Sequence, residues 1–175
     1  VVSKEMEDED EVWEEIKEVT EIALDNFLKM RQVEGETIKN NILTKLDTIE
    51  ETVYEIEKRE PQLVEEYRTR LYEKLKEVLG KTEIEESRIL TEAAIFADKT
   101  AVDEEMVRLH SHLAQFRNKL NSDKPVGREL DFLMQEMNRE ANTTASKSND
   151  ITITNATIEL KTEIEKMREQ IQNIE

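Results

Sequence analysis

Apolar side chains recur every three or four positions along most of this 175-residue chain, which is the period of an α-helix. Near the amino terminus the pattern predicts one helix over Val12–Met30 and another over 36–79. Gly35 is a candidate bend between them, Pro61 is expected to kink the second helix or to start a new one, and Gly80 is a natural stop. A nearly continuous helix of this length is too long for a compact core, so the pattern favours a long antiparallel arm.

The second half of the chain shows the same period in shorter segments that turn-forming residues separate. The predicted elements are a helix over Ile84–Ala97, a heptad-like apolar seam over Val102–Leu120, a turn at Asn121–Pro125, a helix from Gly127 to a polar loop at 143–150, and a second seam over Ile153–Ile174. The sequence therefore predicts an all-α fold, with an acidic helical arm or hairpin over residues 1–80 and a carboxy-terminal helical bundle over residues 81–175.

The composition agrees with long helices and excludes several function classes. Charged residues make up 38% of the chain, which has only 3 Gly, 2 Pro and no Cys. The lack of cysteine removes disulfide and thiolate chemistry and is typical of a reducing cytoplasm, where we expect the protein to act. No apolar stretch of the sequence approaches the roughly 20 residues that cross a bilayer, so no membrane association is expected. The sequence has no Gly-rich phosphate loop and no zinc-ligand cluster, which excludes kinases, NTPases and zinc fingers.

The net charge of −17 argues against nonspecific nucleic-acid binding, because such binding needs Lys and Arg to displace counterions. The acidity is uneven, however. Residues 1–60 carry 19 acidic and 8 basic side chains, whereas residues 124–175 carry 10 and 7. The carboxy-terminal part is therefore nearly balanced, and it suits a nucleic-acid substrate if a bound metal ion, a neighbouring subunit or another domain supplies positive potential.

A polar face accompanies the apolar stripe of the helix that begins near Gly127. Its members are spaced alternately three and four positions apart: Arg128, Asp131, Gln135, Asn138 and Asn142. This spacing places them on one side of a helix. Amide side chains are mediocre helix formers, so their alignment indicates that something hydrogen-bonds to them. The sequence predicts the functional surface of the chain here.

The two histidines lie on the same predicted helix but not on the same face. His110 and His112 are two positions apart, so they point about 200° away from each other and cannot share a site. Glu105, Arg108 and His112 form one stripe beside the apolar seam. Imidazole and carboxylate groups hold divalent ions or move protons, and guanidinium holds phosphate, so this stripe suits metal-ion or acid–base chemistry on a phosphate. The alternative is that His112 is a boundary residue paired with a carboxylate, and His110 is expected to be a solvated bystander.

Carboxylates on the helix after Gly127 offer hard oxygen ligands for Mn²⁺ or Mg²⁺. Asp131 and Glu136 are five positions apart and would need another helix to share an ion, whereas Glu140 follows Glu136 at the better aligned spacing of four. Arg128 and Arg139 are candidates for phosphate contact. The alternatives are a solvated acidic face for the carboxylates and salt bridges between subunits for the arginines.

Polar residues also surround the loop that leads into the last helix. Asn138 and Asn142 suit the orientation of ligands, or the capping of helices across an interface. Ser146 and Lys147 lie where backbone amides at the start of a helix can meet a phosphate, although serine is also an ordinary cap there.

Taken in order, these stretches resemble the carboxy-terminal signature of the YicC-like (YicC/YloC) endoribonuclease family. The resemblance is strong over Lys99–Glu175 and weaker, though colinear, before it. The residues that carry it are Gly127-Arg128, Leu130-Asp131-Phe132, Gln135-Glu136, Asn138-Arg139-Glu140, Asn142-Thr143, Ser146-Lys147, Thr154-Asn155, Ile158-Glu159-Leu160-Lys161 and Met167–Glu175. Upstream, Glu104-Glu105, Arg108-Leu109 and His112 match the family's second helical motif. Thr152 departs from the pattern, which has an acidic residue at that place.

The resemblance implies a metal-dependent endoribonuclease that works on RNA, not DNA, with Mn²⁺ as the expected ion and Mg²⁺ as the other candidate. It also implies a homo-oligomer, expected to be a ring-like hexamer, and a further amino-terminal domain that this chain lacks. The implied catalytic residues are Glu105, His112, Asp131 and Glu136. The implied metal ligands are His112, Asp131, Glu136 and Glu140, and the implied RNA contacts are Arg108, Arg128, Asn138, Arg139, Asn142 and Lys147.

A structural interpretation competes with the enzymatic one. Two apolar seams and an acidic arm also suit a non-catalytic helical module that assembles subunits while another domain binds RNA. On that interpretation the amide face forms hydrogen bonds across an interface. Substitution of Asn138 distinguishes the two, because it would break the assembly in one case and lower the activity in the other.

Overall fold

The computed structural model describes residues 9–80, 85–122 and 124–172, and these residues form five α-helices. No strand occurs within the described ranges, so the predicted all-α fold is confirmed. The helices are α1 (Glu9–Leu79), α2 (Glu86–Thr100), α3 (Asp103–Leu120), α4 (Gly127–Lys147) and α5 (Ile151–Ile171). No helix in these ranges is long and apolar enough to span a membrane.

Helix α1 is continuous, so the predicted break at Gly35 and the predicted start of a new helix at Pro61 were wrong, whereas the alternative of a kink at Pro61 stays a prediction. Both residues lie inside the helix. Gly35 costs only about 1 kcal/mol of helix propensity relative to alanine, which good helix formers on both sides offset. Pro61 lacks one backbone hydrogen bond, but Ile56 and Leu63 on either side of it are buried and hold the helix in place. Gly80 ends α1 as predicted, with a positive φ of 60° and its N–H donating to Lys76 O at 3.1 Å.

The chain divides into two units, the first ending at Asn41 and the second beginning at Ile42. In the first unit the described residues all belong to α1, and its large apolar side chains are exposed, among them Trp13, Ile16 and Phe27. The second unit holds the rest of α1 and helices α2 to α5. The division predicted at residue 80 stays a prediction.

The core of the second unit takes buried apolar side chains from α1, α3, α4 and α5, and α4 packs against both α3 and α5. The two predicted seams supply a part of it. Residues Val102, Met106, Leu109, Leu113 and Phe116 are buried on the first seam, and Ile153, Thr157, Leu160, Ile164, Met167 and Ile171 are buried on the second. Burial of this apolar surface, at about 25 cal/mol per Å², is the main force that fixes the helices. The predicted seam residue Ile174 lies outside the described residues.

Polar contacts join α1 to the other helices of the second unit. Lys45 Nζ lies 3.2 Å from Glu163 Oε2 on α5, and Arg117 on α3 donates to Asp47 at 2.7 Å. Glu60 accepts a hydrogen bond from the backbone N–H of Val102, which begins α3, at 3.0 Å. Burial raises the pKa of Glu60 above the ordinary value for a carboxyl. These contacts place the part of α1 after residue 41 along both ends of α3 and against α5.

A carboxylate at the α4–α5 connection organises the start of α5. Asp150 accepts hydrogen bonds from the backbone N–H groups of Thr152 and Ile153, each at 3.0 Å, and so caps the helix. Arg59 on α1 also donates to both oxygens of Asp150, at 3.3 and 2.9 Å. The Arg59 guanidinium is the largest cause of the lowered pKa of Asp150. Thr152, the residue that departs from the family pattern, is exposed here.

Candidate metal centre and amide surface

Helices α3 and α4 bring three potential metal ligands together. His112 on α3 and Glu136 and Glu140 on α4 each offer one ligand atom, and these atoms all lie within 4.8 Å of one another. The two glutamates are four positions apart, so they lie one above the other on the face of α4 that meets α3. The contact between α3 and α4 therefore forms a cluster from residues that are separated in the sequence. We call these three residues the metal cluster.

The chemistry of the metal cluster fits a divalent cation. The Nδ1 atom of His112 is buried and has no hydrogen-bond partner among the described residues. Glu140 is 3% exposed, and Glu136 is half-buried. A buried ring nitrogen without a hydrogen-bond partner is costly unless it meets a ligand. One imidazole with two carboxylates is a set of ligands that first-row divalent ions such as Mn²⁺ accept.

Arg108 lies at the edge of the metal cluster. Its guanidinium is 3.4 Å from Glu140 Oε1, and it also forms a salt bridge with Glu104 one helical turn earlier. These two carboxylates, Glu104 first, raise the pKa of Arg108. About half of the Arg108 side chain is exposed, so the group can meet an approaching phosphate without leaving its place. The predicted stripe of Glu105, Arg108 and His112 thus contributes two of its members to this region.

Glu105, the third member of that stripe, has another partner. Its side chain is 4% exposed, and both of its oxygens accept hydrogen bonds from Lys147 Nζ, at 2.8 and 2.9 Å. This pair joins the first turn of α3 to the last turn of α4. Glu105 is not among the three clustered ligands. Its position as a buried, paired carboxylate supports the α3–α4 contact on which the cluster depends.

Asp131 is likewise not among the clustered ligands. It accepts a hydrogen bond from Gln135 at 2.7 Å, and its carboxylate lies 3.6 Å from Arg168 Nε on α5. Asp131 and Glu136 are five positions apart, so they project from α4 in different directions. Asp131 therefore faces α5, whereas Glu136 and Glu140 face α3.

Three of the five residues of the polar face predicted on α4, namely Gln135, Asn138 and Asn142, lie on one continuous surface. Gln135, Asn138, Arg139, Asn142, Thr143 and Ser146 line a shallow depression of about 530 Å³, which we call the amide surface. Neighbouring side chains hydrogen-bond one another: Asn142 Nδ2 donates to Asn138 Oδ1 at 3.2 Å, and Lys161 from α5 donates to Asn142 Oδ1 at 2.7 Å. The amides are thus held in fixed orientations.

The predicted phosphate contacts differ in their surroundings. Arg139 is 73% exposed, and its guanidinium lies 3.9 Å from Glu136 of the metal cluster, so it lies between the cluster and the amide surface. Arg128 is exposed in the first turn of α4, about two turns before the amide surface begins at Gln135. Lys147 is engaged with Glu105. Ser146 and Lys147 lie in the last turn of α4 and not at the start of a helix, so the predicted contact of their backbone amides with a phosphate was wrong. Arg108 and Arg139 are therefore the predicted cations that lie beside the cluster.

His110 is not the solvated bystander that the sequence predicted. Its side chain is 28% exposed, its Nε2 atom lies 3.1 Å from Glu57 on α1, and its ring packs on Tyr54 with centroids 5.0 Å apart. The prediction was wrong because the face of α3 opposite His112 meets α1. The prediction that the two histidines cannot share a site is confirmed, since His112 faces α4.

Two residues that contact the site are not among the site residues predicted from the sequence. Glu104 pairs with Arg108, and its spacing of four from that residue was a visible signal. Lys161 reaches the amide surface from α5, which no spacing within α4 could indicate.

Comparison with known proteins places these residues in a wider context. A protein-family model described as "Endoribonuclease YicC-like, C-terminal" matches residues 56–175. The chain is 44% identical over 175 residues to a protein of Clostridioides difficile (strain 630) named "Probable endoribonuclease YicC", an alignment that covers 99% of this chain and 60% of that protein. A Haemophilus influenzae (strain ATCC 51907 / DSM 11121 / KW20 / Rd) protein of the same name is 36% identical and is also covered over 60% of its length. The chain thus spans about three fifths of each relative.

Proposed function

This chain belongs to the YicC-like endoribonuclease family, and from that premise we propose that it takes part in the metal-dependent cleavage of RNA phosphodiester bonds. The observation that carries the proposal is the convergence of His112, Glu136 and Glu140 within 4.8 Å across the α3–α4 contact. The relatives are named probable endoribonucleases, and this chain spans only 60% of each of them. The activity of the chain itself is therefore part of the proposal.

His112, Glu136 and Glu140 would hold the ion, which we propose to be Mn²⁺, with Mg²⁺ as the other candidate. A divalent ion supplies Lewis acidity at the phosphate and lowers the pKa of a bound water. The unpartnered Nδ1 atom supports a ligand role for His112. Glu140 is the least exposed of the three, so its carboxylate would bind the ion from the protein interior. Glu136 is half-buried and would bind the ion on the side from which the substrate approaches.

The cations beside the metal cluster would bind and orient the scissile phosphate. Arg108 lies 3.4 Å from Glu140, and Arg139 lies 3.9 Å from Glu136, so each guanidinium adjoins one of the carboxylate ligands. A guanidinium in this place donates to non-bridging phosphate oxygens and stabilises the charge that develops on them. The local positive charge matters here because the chain as a whole carries a net charge of −17.

The amide surface continues from Arg139 and would hold the RNA next to the cleaved bond. Asn138 and Asn142 offer both donors and acceptors, and the hydrogen bond between them fixes which groups point outward. Ribose hydroxyls and base edges present both kinds of group, and the 2′-hydroxyl is the feature that separates RNA from DNA. We therefore propose the amide surface as the path of the substrate beside the cleaved bond.

The same proposal includes a homo-oligomer, expected from the family resemblance to be a hexamer, that works in the cytoplasm. A second candidate function is a helical module that only assembles subunits. The exposed apolar side chains of the first unit, including Trp13, Ile16 and Phe27, favour it, because apolar side chains that line one helix commonly pack against another chain.

The experiment is cleavage of a labelled, partly structured RNA by the chain, with Mn²⁺ and with EDTA. We expect Mn²⁺-dependent cleavage that falls at least about 100-fold in His112→Ala and Glu136→Gln, since each removes a direct ligand. The matched control is Asp131→Asn, which neutralises a carboxylate on the same helix outside the metal cluster. Undiminished cleavage by folded His112→Ala would contradict the site, and no cleavage by the folded wild-type chain would favour the assembly module.

A further inference from the structure

We propose that a second pocket, formed by α1, α2 and the α4–α5 connection, binds one nucleotide of single-stranded RNA. The inference rests on the proposed action on RNA. The pocket has a volume of about 690 Å³, and its lining includes Tyr67, Arg70 and Lys74 from α1, Phe96 from α2, and Asn149 and Ile151 from the connection. We call it the α1–α2 pocket. None of the metal-cluster residues lines it, so it would hold a part of the RNA other than the cleaved phosphate.

Two stacked aromatic rings give the pocket a flat apolar wall. The Tyr67 and Phe96 rings have centroids 4.0 Å apart and are within 3° of parallel. Both side chains are half-buried and line the pocket, and a base would stack on the outer face of the pair, because the two inner faces cover each other. Nucleic-acid bases stack on aromatic side chains in this way, with little regard to sequence because every base has a π-face. The volume also suits one nucleotide, since small-molecule sites range over about 300–1,000 Å³.

Two cations stand beside that wall. Tyr67, Arg70 and Lys74 follow one another at steps of three and four, which puts them on one face of α1. Neither Arg70 nor Lys74 forms a salt bridge with a side chain in the described part of the chain, although Arg70 is near enough to Glu66 to lower the pKa of that carboxyl. In a protein with a net charge of −17, two cations next to aromatic rings match the charge of a phosphate.

The acidic groups of the pocket are already engaged. Glu66 accepts from Arg59 at 2.6 and 2.9 Å, and Asp150 accepts from Arg59 and caps α5. These carboxylates are therefore balanced by a guanidinium and by backbone N–H groups. Asn149 is exposed, lines the pocket and offers an amide for the edge of a base. A base in a duplex is already stacked and paired, so the occupant is a nucleotide of a single strand.

The test is equilibrium binding of a fluorescent octauridylate by the whole chain in EDTA, followed by anisotropy. We expect Tyr67→Ala to weaken binding about tenfold, and the double variant Arg70→Gln/Lys74→Gln to weaken it by a similar factor and to reduce its salt dependence. Tyr67→Phe, which keeps the ring, should bind as the wild type does. The matched controls on the same helix are Tyr72→Ala and Lys76→Gln, neither of which lines the pocket, and both should stay within about twofold.

A second arm needs no variant. An octamer that carries 4-thiouridine is irradiated with the wild-type chain, and crosslinked peptides are identified by mass spectrometry. Crosslinks to the peptides that hold Tyr67 or Phe96 support the pocket. Crosslinks confined to the amide surface, or equal binding by all variants, would overturn it while His112-dependent cleavage, and with it the proposed function, still stands. If the wild-type chain neither binds nor cleaves RNA, both proposals fail. Binding of a protein segment in the pocket would show as variants that alter self-association and leave RNA binding unchanged.

Discussion

Lys147, in the last turn of α4, donates to both carboxylate oxygens of the buried Glu105 in the first turn of α3, at 2.8 and 2.9 Å. We expect Lys147→Met to destabilise the chain by about 1–3 kcal/mol, because the substitution leaves a buried charge without its partner. The measurement is the free energy of unfolding in urea. Lys99→Met, at an exposed position of α2, is the matched control.

The double variant Glu105→Gln/Lys147→Met separates the pairing from other effects of the lysine. Once the carboxylate is neutral, removal of Lys147 should cost less than it does in the wild-type background. Equal costs in the two backgrounds would show that the hydrogen bonds between Glu105 and Lys147 add nothing to stability.

Binding of Mn²⁺ should stabilise the folded chain through the metal cluster. An ion that binds only the folded state stabilises it by about 2.7 kcal/mol at 100 times its dissociation constant, so the thermal midpoint should rise with Mn²⁺. Asp131→Asn should keep this rise, because Asp131 faces Arg168 and not His112. Glu140→Gln should lose the rise of the thermal midpoint with Mn²⁺. The variant also loses the contact with Arg108, so its midpoint with Mn²⁺ is compared with its own midpoint in EDTA. An equal loss of the rise in Asp131→Asn would contradict the assigned ligands.

The sequence predicted what depends on local spacing. The apolar period located the helices and the buried seams, and the steps of three and four on α4 located the amide surface and the alignment of Glu136 with Glu140. The spacing also explains why Asp131 does not join the two glutamates, since a residue five positions before Glu136 projects from the helix in a different direction. The spacing of residues along one helix could not predict which other helix each face of it contacts. Whether Glu105 meets Lys147, or His110 meets Glu57, depends on how α3 lies against α4 and α1.

The continuity of α1 shows a different limit. Glycine and proline disfavour a helix interior by about 1 and about 3 kcal/mol relative to alanine, yet α1 continues through both Gly35 and Pro61. Around Pro61 the tertiary contacts offset this cost, because the buried Ile56 and Leu63 fix both sides. The helix propensity of single residues therefore predicts poorly whether a helix continues through a position that tertiary contacts hold in place.

Asn138 distinguishes an RNA-binding surface from an interface between subunits. Its side chain accepts a hydrogen bond from Asn142 and lines the amide surface. If RNA lies there, Asn138→Ala should lower cleavage by about fivefold, the equivalent of one hydrogen bond of about 1 kcal/mol, and should leave the oligomeric state unchanged. Light scattering reports the oligomeric state, and Asn118→Ala, at an exposed position of α3, is the control. Loss of the oligomer with unchanged cleavage per folded subunit would favour the assembly role.

The contact between Arg59 and Asp150 should make the stability of the second unit sensitive to acid. The pKa of Asp150 is lowered chiefly by the Arg59 guanidinium, so at pH values near it the unfolded chain binds more protons than the folded one. The stabilisation is therefore fully present above the unfolded value of about 3.9 and is lost as the pH falls through the lowered folded value. The pKa values of Glu163 and Glu66 are lowered in the same direction, so they steepen the same acid limb.

Arg59→Leu tests this contact. The variant should be less stable than the wild type at pH 7, and the difference should shrink as the pH falls below about 4 and through the lowered pKa of Asp150 in the wild type. The measurement is urea unfolding from about pH 3 to pH 8, where the slope of stability against pH reports the difference in bound protons. Arg88→Leu, at an exposed position of α2, should follow the wild-type curve. A constant difference between Arg59→Leu and the wild type at every pH would mean that Arg59 stabilises the chain through its packing and not through the charge of Asp150.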